Sequence, residues 1–251
     1  MTIQTSETSH RLPVLDHGYV EFIEAWGQGK VGQTEAGIIE AARQSTQGSF
    51  RGWEADEKLL RFLFTNKPQH ATPFEFAGMV IEVQAPIFVF REWHRHRTQS
   101  YNEMSARYAP LPDLYYLPQP MNVWERSCAA ATSKNRQAGT TVVADQDTCD
   151  AWVKSLTPFY QLAEKQYQDA LSEGIPKELA RITMPVAHYS RMRASATLRN
   201  WLAFLTLRLD PNAQWEIRQF ANAVGVCVAE HFPHTWRLFR PPVTEVGTRS
   251  G

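Results

Sequence analysis

Between Arg95 and Tyr108 the chain sets three arginines, a histidine, a carboxylate and two serines in one short run: Arg95-His96-Arg97-Thr98-Gln99-Ser100-Tyr101-Asn102-Glu103-Met104-Ser105-Ala106-Arg107-Tyr108. Forked guanidinium donors beside hydroxyls suit an anionic, oxygen-rich small molecule. A guanidinium grips phosphate through two parallel hydrogen bonds, and hydroxyls fix the orientation. A solvated basic turn would carry the same charges. Against that reading, the run follows the apolar stretch Pro86-Ile87-Phe88-Val89-Phe90, which puts the charges at the end of a buried element.

The frame that must hold this run is one unit. A chain of 251 residues with 43% hydrophobic and 12% aromatic content can bury a full core. Apolar residues at helical spacing predict helices over Thr34 to Arg43 and Ala55 to Phe64, the latter through Leu59, Leu60, Phe62 and Leu63. From Phe76 to Gln84, Val80, Ile81 and Val83 alternate with Glu82 and Gln84, which predicts a strand. Pro86 then suits the first turn of a helix reaching toward Arg97, with Arg91 and Arg95 on one face.

Further on, Trp152, Leu156, Phe159, Ala163 and Ala170 form a helical stripe that Gly174 stops, with Pro158 kinking or beginning it. Pro176 opens a short helix through Arg181, and Ser190 to Thr197 reads as a strand. Asp210-Pro211 reads as the cap and first turn of a long helix closed by Pro233, with Trp215, Ile217, Phe220, Val224 and Val228 inward. Residues 118–150 are small and polar with little periodicity, and read as a surface insertion holding one or two partial helices. Residues from Pro241 onward read as a frayed tail.

The 26 basic and 26 acidic residues leave no net charge, so no global field draws the chain to nucleic acid or an anionic membrane. The segment from Met1 to Arg11 is polar and no apolar run approaches membrane-spanning length, which predicts a cytoplasmic protein. Cys128, Cys149 and Cys227 show no CxxC pair. Cys128 and Cys149 could bracket a loop, but an odd total in such a protein favours free thiols.

The Arg-His-Arg run, seven residues, then Ser105 and Ala106-Arg107-Tyr108 resembles the signature of the flavin-dependent thymidylate synthases. Three further segments resemble that family in order: His70-Ala71-Thr72-Pro73-Phe74-Glu75, then Leu179-Ala180-Arg181-Ile182, then Leu205-Thr206-Leu207-Arg208 with Ala213-Gln214-Trp215-Glu216-Ile217. The likeness runs from Gly18 to Pro233 apart from the insertion. It implies a single α+β domain, with a mixed or antiparallel central sheet flanked by helices, assembled as a homotetramer with shared active sites. The implied reaction is reductive methylation of dUMP to dTMP. Methylenetetrahydrofolate would donate the carbon, with FAD as redox cofactor and NADPH as reductant.

By the same resemblance Ser105, Arg107 and Arg181 contact the nucleotide and its phosphate, with Arg91, Glu92, Arg95 and Glu103 beside them. Arg208 is the implied pyrimidine contact and catalytic residue, stabilising negative charge that develops on the ring. Arg95, His96, Arg97 and Thr98 are the implied flavin strip, joined by Ser45, His70, Thr72, Glu75, Glu103, Thr197, Arg199, Leu207 and Asn212. No GxGxxG stands at a strand-to-helix turn, so a Rossmann mode of flavin binding is not expected.

The chain departs from the family pattern at a few positions. Glu92 replaces a common glutamine, bringing a carboxylate near an anionic nucleotide unless Arg91 or Arg95 neutralises it. Thr197 and Ala203 replace asparagines and Asn212 a histidine. Structural alternatives exist too: Arg181 or Arg208 could pair with Glu178 or Asp210, and Asn102 could only shape a turn. A metal site is not expected, since His94 and His96 would diverge by about 200° on a helix and no ligand cluster completes them. A nucleic-acid module using Arg91, Arg95, Arg97 and Arg107 lacks a sustained basic stripe.

Overall fold

The computed structural model describes residues 11–132, 140 and 142–240. Five strands form one sheet: β1 (Arg11–Val14), β2 (Gly18–Trp26), β3 (Gly78–Pro86), β4 (Ser100–Glu103) and β5 (Tyr189–Thr197). Their order is β1-β2-β3-β5-β4, and every neighbouring pair is antiparallel. Of the two sheet types the resemblance allowed, the antiparallel one is present. The α-helices are α1 (Ala36–Arg43), α2 (Trp53–Thr65), α3 (Ile87–Trp93), α4 (Pro120–Thr132), α5 (Gln146–Ser172), α6 (Lys177–Ala180), α7 (Leu198–Arg208), α8 (Trp215–His231) and α9 (Pro233–Phe239). Short 3-10 turns cover Gln44–Thr46, Thr72–Phe76 and Arg181–Thr183.

Alternation along the two central strands sorts the sheet into an apolar and a polar face. Met79, Ile81, Val83 and Ala85 of β3 and Met192, Ala194 and Ala196 of β5 are buried. Between them Glu82 sits opposite Arg193, 3.4 Å apart, on the polar face. The apolar face packs against Trp93, Trp201, Phe204 and Phe220, all fully buried, with the Trp93 and Phe204 rings 4.6 Å apart. Trp201 is held in register by donating its indole N–H to the Met79 carbonyl at 3.0 Å. Gly78 is obligatory in β3, because a Cβ there would lie 2.4 Å from the Ala196 carbonyl oxygen.

Several expectations need correction. The helix after Pro86 ends at Trp93, before Arg95, so Arg91 and Arg95 do not share a helical face. The Tyr101 hydroxyl stops it by donating toward the Trp93 and His96 carbonyls at 3.2 and 2.7 Å, groups that a continuing helix would have used. Asn102 lies in β4 opposite Arg193 and does not shape a turn. Asp210 does not cap α8: its carboxylate accepts the Asn212 backbone N–H at 2.8 Å in a loop, and the helix starts at Trp215. Pro158 lies inside α5, which begins at the Asp145 cap. The buried face of α5 is Cys149, Tyr160, Ala163 and Tyr167, whereas Trp152 and Phe159 are exposed.

The insertion is more than surface. Arg126 of α4 reaches the buried Glu216 of α8 at 2.5 Å, and α4 packs along α5. The described cysteines are all free thiols. The tail from Pro241 and the start of the chain before Arg11 lie outside the described residues.

Candidate active site

The predicted site residues fall into three groups, the first placed by the junction of α3, β4 and β5, the second by α3 and α7, and the third by α7 and the His70 segment. The first lines an open cavity of about 610 Å³ that contains Arg91, His94, Glu103, Ser105, Glu178 and Arg181, floored by Phe90, Leu111 and Ser190. The backbone of α3 fixes its mouth, since the first N–H groups, of Ile87 and Phe88, donate to the His188 and Val186 carbonyls at 2.9 and 3.0 Å. Pairing of β4 with β5 carries Glu103 to the rim, and Met104 continues the ladder through its N–H to the Arg191 carbonyl at 2.7 Å. The Ser105 hydroxyl then accepts the Arg107 backbone N–H at 3.3 Å, bending the chain so that Arg107 meets Glu178 at 3.2 Å. Arg181 donates through Nε to the Glu178 carbonyl at 3.4 Å.

The second group is a cluster around Arg208, in the last turn of α7. Its Nε donates to His96 Nε2 at 2.8 Å, Nη1 to the Glu92 carboxylate at 2.8 Å and Nη2 to the Glu92 carbonyl at 2.9 Å. The partner of Glu92 is therefore Arg208, in place of the Arg91 or Arg95 expected from the sequence, and the partner of Arg208 is not Asp210. A guanidinium always donates, so His96 Nε2 must accept and the ring proton sits on Nδ1. Burial first, then the Arg208 charge, push the His96 pKa down to about 4, with Glu92 opposing. His96 is neutral at ordinary pH. None of Glu92, His96 and Arg208 lines the cavity that holds Arg91 and Ser105.

The third group borders a groove of about 460 Å³ between the His70 segment and α7, lined by Phe64, Gln69, Phe74, Arg199, Thr206 and Leu207. Arg199 pairs with Glu75 across it. Asn200 donates to the Thr98 carbonyl at 3.0 Å, tying the Arg-His-Arg turn to the same helix. Arg95, Arg97, Thr72 and Ser45 are exposed, and His70 leans over Phe62 with ring centroids 5.3 Å apart. Thr197 Oγ1, at the start of α7, is buried without a hydrogen-bond partner. Asn212 bonds back to Asp210 in the loop between α7 and α8.

Sequence reasoning left out His94, Ser190 and Asn200 as site residues, and Glu178 as the partner of Arg107. Strand alternation would have paired Ser190 with the inward Met192, but only the fold reveals a cavity beside it. Among the described residues, no group of three His, Cys, Asp or Glu side chains could hold a metal ion. Among the same residues, no helix is long and apolar enough to cross a membrane.

The class is an α+β protein with one antiparallel sheet that gathers arginines, hydroxyls and carboxylates around a cavity and a groove. Comparison with known proteins narrows it. The model of the family described as thymidylate synthase complementing protein matches residues 30–234. The flavin-dependent thymidylate synthase of Thermus thermophilus is 33% identical, covering 93% of this chain and 80% of the relative. That of Thermotoga neapolitana is also 33% identical, covering 91% and 94%. Crystal structures of a UMP/dUMP methylase from Streptomyces cacaoi, bound with 5-Br UMP and with 5-Br dUMP, superpose with TM-scores of 0.74 and 0.75 at 30% and 29% identity. Each covers 91% of this chain and 96% of the other. The chain belongs to the flavin-dependent thymidylate synthase family and is a methyltransferase enzyme.

Proposed function

We propose that the chain carries out reductive methylation of dUMP to dTMP, with methylenetetrahydrofolate as carbon donor, FAD as redox cofactor and NADPH as reductant. The observation that carries this reading is the cavity of Arg91, Glu103, Ser105 and Arg181, with Arg107 at its rim. Its guanidinium and hydroxyl donors match a nucleotide phosphate, and the apolar floor beneath suits a flat base. Arg107 and Arg181 hold the phosphate and Ser105 orients it. Arg208 meets negative charge as it develops on the pyrimidine, the point at which a preorganised cation contributes most.

The chain's residues also fit FAD. The groove offers the apolar Phe64, Phe74 and Leu207 for a ring system, with Arg199 beside them. The exposed Arg95 and Arg97 suit a diphosphate, and Thr197 stands at the start of the helix that carries Arg199. His70, Thr72, Glu75, His96 and Thr98 complete the holding set. Bound there, FAD would carry the reducing electrons drawn from NADPH.

No thiolate nucleophile takes part. Burial pushes the Cys227 thiol up to about 11, and Cys149 is raised by burial and by Asp145 and Asp150. A homotetramer with shared sites belongs to the same reading. It is supported by the separation of the Arg208 cluster from the cavity, and by the exposed Ile182 and Val186 that border the cavity.

Purified protein given FAD, NADPH, methylenetetrahydrofolate and dUMP is expected to form dTMP, with a parallel arm supplying UMP to test tolerance of the 2′-hydroxyl. Absence of methylated product in both arms would overturn the reading; product from UMP alone would replace the substrate.

A further inference from the structure

Arg208 is held on three nitrogens at once, and two of those three bonds end on a single residue, Glu92. Glu92 is in α3 and Arg208 closes α7, so this bond is also the tether between two helices that meet through the core. A guanidinium is planar, and bonds from Nε, Nη1 and Nη2 together fix both its position and its plane. Three of its five N–H groups are engaged, which leaves one on each terminal nitrogen to offer to a ligand. The Arg208 side chain is only 15% exposed while Glu92 is 41% exposed, so the carboxylate borders solvent and the guanidinium lies behind it.

That arrangement is costly for a site meant to bind an anion, because the Glu92 charge opposes the nucleotide's. A carboxylate is retained in such a place when its gain in orientation outweighs its loss in attraction. We propose that Glu92 is a positioning residue, whose carboxylate locks the plane of Arg208 and through it the Nδ1–H tautomer of His96, at the expense of nucleotide affinity. The inference rests on the proposed nucleotide reading of Arg208. In this role Glu92 acts through Arg208, and a direct contact with the nucleotide, which the resemblance implies for this position, is the alternative that the test separates.

The geometry separates this role from the alternatives. If Glu92 bound the nucleotide, its removal would weaken binding. If it only held α3 to α7, its removal would lower stability and leave the chemistry of the folded fraction intact. As a positioning residue, its removal lets Arg208 swing while lifting a repulsive charge.

The test compares wild type, Glu92→Ala and Glu92→Gln for kcat, for dUMP affinity by calorimetry, and for melting temperature and flavin content. Glu92→Ala is expected to lose about 10- to 100-fold in kcat, the scale of a misplaced catalytic group. It should bind dUMP about three- to tenfold more tightly, since a nearby like charge is gone. Glu92→Gln keeps an oxygen that accepts from Nη1, so it should recover kcat to within about threefold of wild type while retaining the tighter binding. An active wild type with unchanged kcat in Glu92→Ala, or weaker dUMP binding in either variant, overturns the role of Glu92 alone. A wild type that makes no methylated nucleotide overturns the nucleotide reading beneath it. If Glu92→Ala fails to fold, the Gln variant decides: dUMP affinity equal to wild type there also overturns the proposal.

Discussion

Arg107 meets Glu178 at 3.2 Å with both side chains more than half exposed, so the pair contributes about 0–1 kcal/mol to stability. A phosphate placed there offers a stronger, charge-assisted bond, and the ion pair gives way to it. Substituting Arg107 or Arg181 by alanine is therefore expected to weaken dUMP binding by about 1.5–3 kcal/mol, with flavin content and melting temperature little changed. Titration calorimetry reads this directly. Unchanged affinity in both variants would leave the two arginines as surface pairs. The cysteines stand at the opposite extreme. Cys149 and Cys227 are buried and their thiols raised, so neither offers a thiolate near neutral pH. A triple Cys→Ala variant that folds and retains flavin is expected to keep making dTMP, and complete loss of turnover in it would contradict a mechanism without a thiol.

At the scale of elements, the run from Arg95 to Tyr108 divides at β4. Residues 94–99 form a turn closed by the Tyr101 hydroxyl and tied to α7 through Asn200, beside the groove of Arg199 and Leu207. Glu103, Ser105 and Arg107 leave β4 on the side of the cavity. The two halves should fail separately. Arg97→Ala is expected to yield folded protein depleted of flavin and partly restored by excess FAD, because mass action offsets a weakened site. Ser105→Ala should keep flavin and NADPH oxidation but bind dUMP less well. Absorbance of the purified variants, with NADPH oxidation and dTMP formation followed separately, checks both. Flavin lost from Ser105→Ala and kept in Arg97→Ala would reverse the division.

This division was only half legible beforehand. Residue types and order announced the motif, but β4 is four residues of Ser, Tyr, Asn and Glu, without the β-branched alternation that reveals a strand. Its pairing with β5 comes from a partner about ninety residues away, a contact no local pattern encodes. β1 was missed for a local reason: Arg11 to Val14 is four residues at a sheet edge with a proline inside, too short to show alternation, and directly follows a polar segment. By contrast β3, α2 and β5 were readable because each buries one face and repeats at its own period, two residues in the strands and 3.6 in the helix. The Arg208 cluster was misassigned for a related reason: Glu92 and Arg208 both appeared, but which cation met which carboxylate depends on how α3 and α7 cross.

At the scale of the whole molecule, buried histidines link the fold to pH. His188 is fully buried beside Tyr115; its ring nitrogens make no hydrogen bond of good geometry, and burial lowers its pKa against the opposing pull of Glu164, Asp113 and the nearby backbone of Pro112 and Tyr189. His96 is lowered from 6.5 to about 4 by burial and Arg208. For both, the unfolded chain takes up a proton that the folded chain refuses. Their stabilising contribution is complete above the unfolded value of 6.5 and is lost as pH falls below it, for His96 toward about 4. Stability should thus decline between pH 7 and 5 beyond what surface carboxylates cause. His188→Leu removes one such group and fills its place with apolar atoms. It is expected to raise stability by about 1–3 kcal/mol at neutral pH, the cost of an unpaired buried polar group. The gain should grow as the pH is lowered. Urea unfolding of wild type and variant at pH 7.5 and 5 measures both quantities. Equal pH slopes in the two proteins would mean that His188 finds a proton acceptor in the folded state and does not contribute to acid sensitivity.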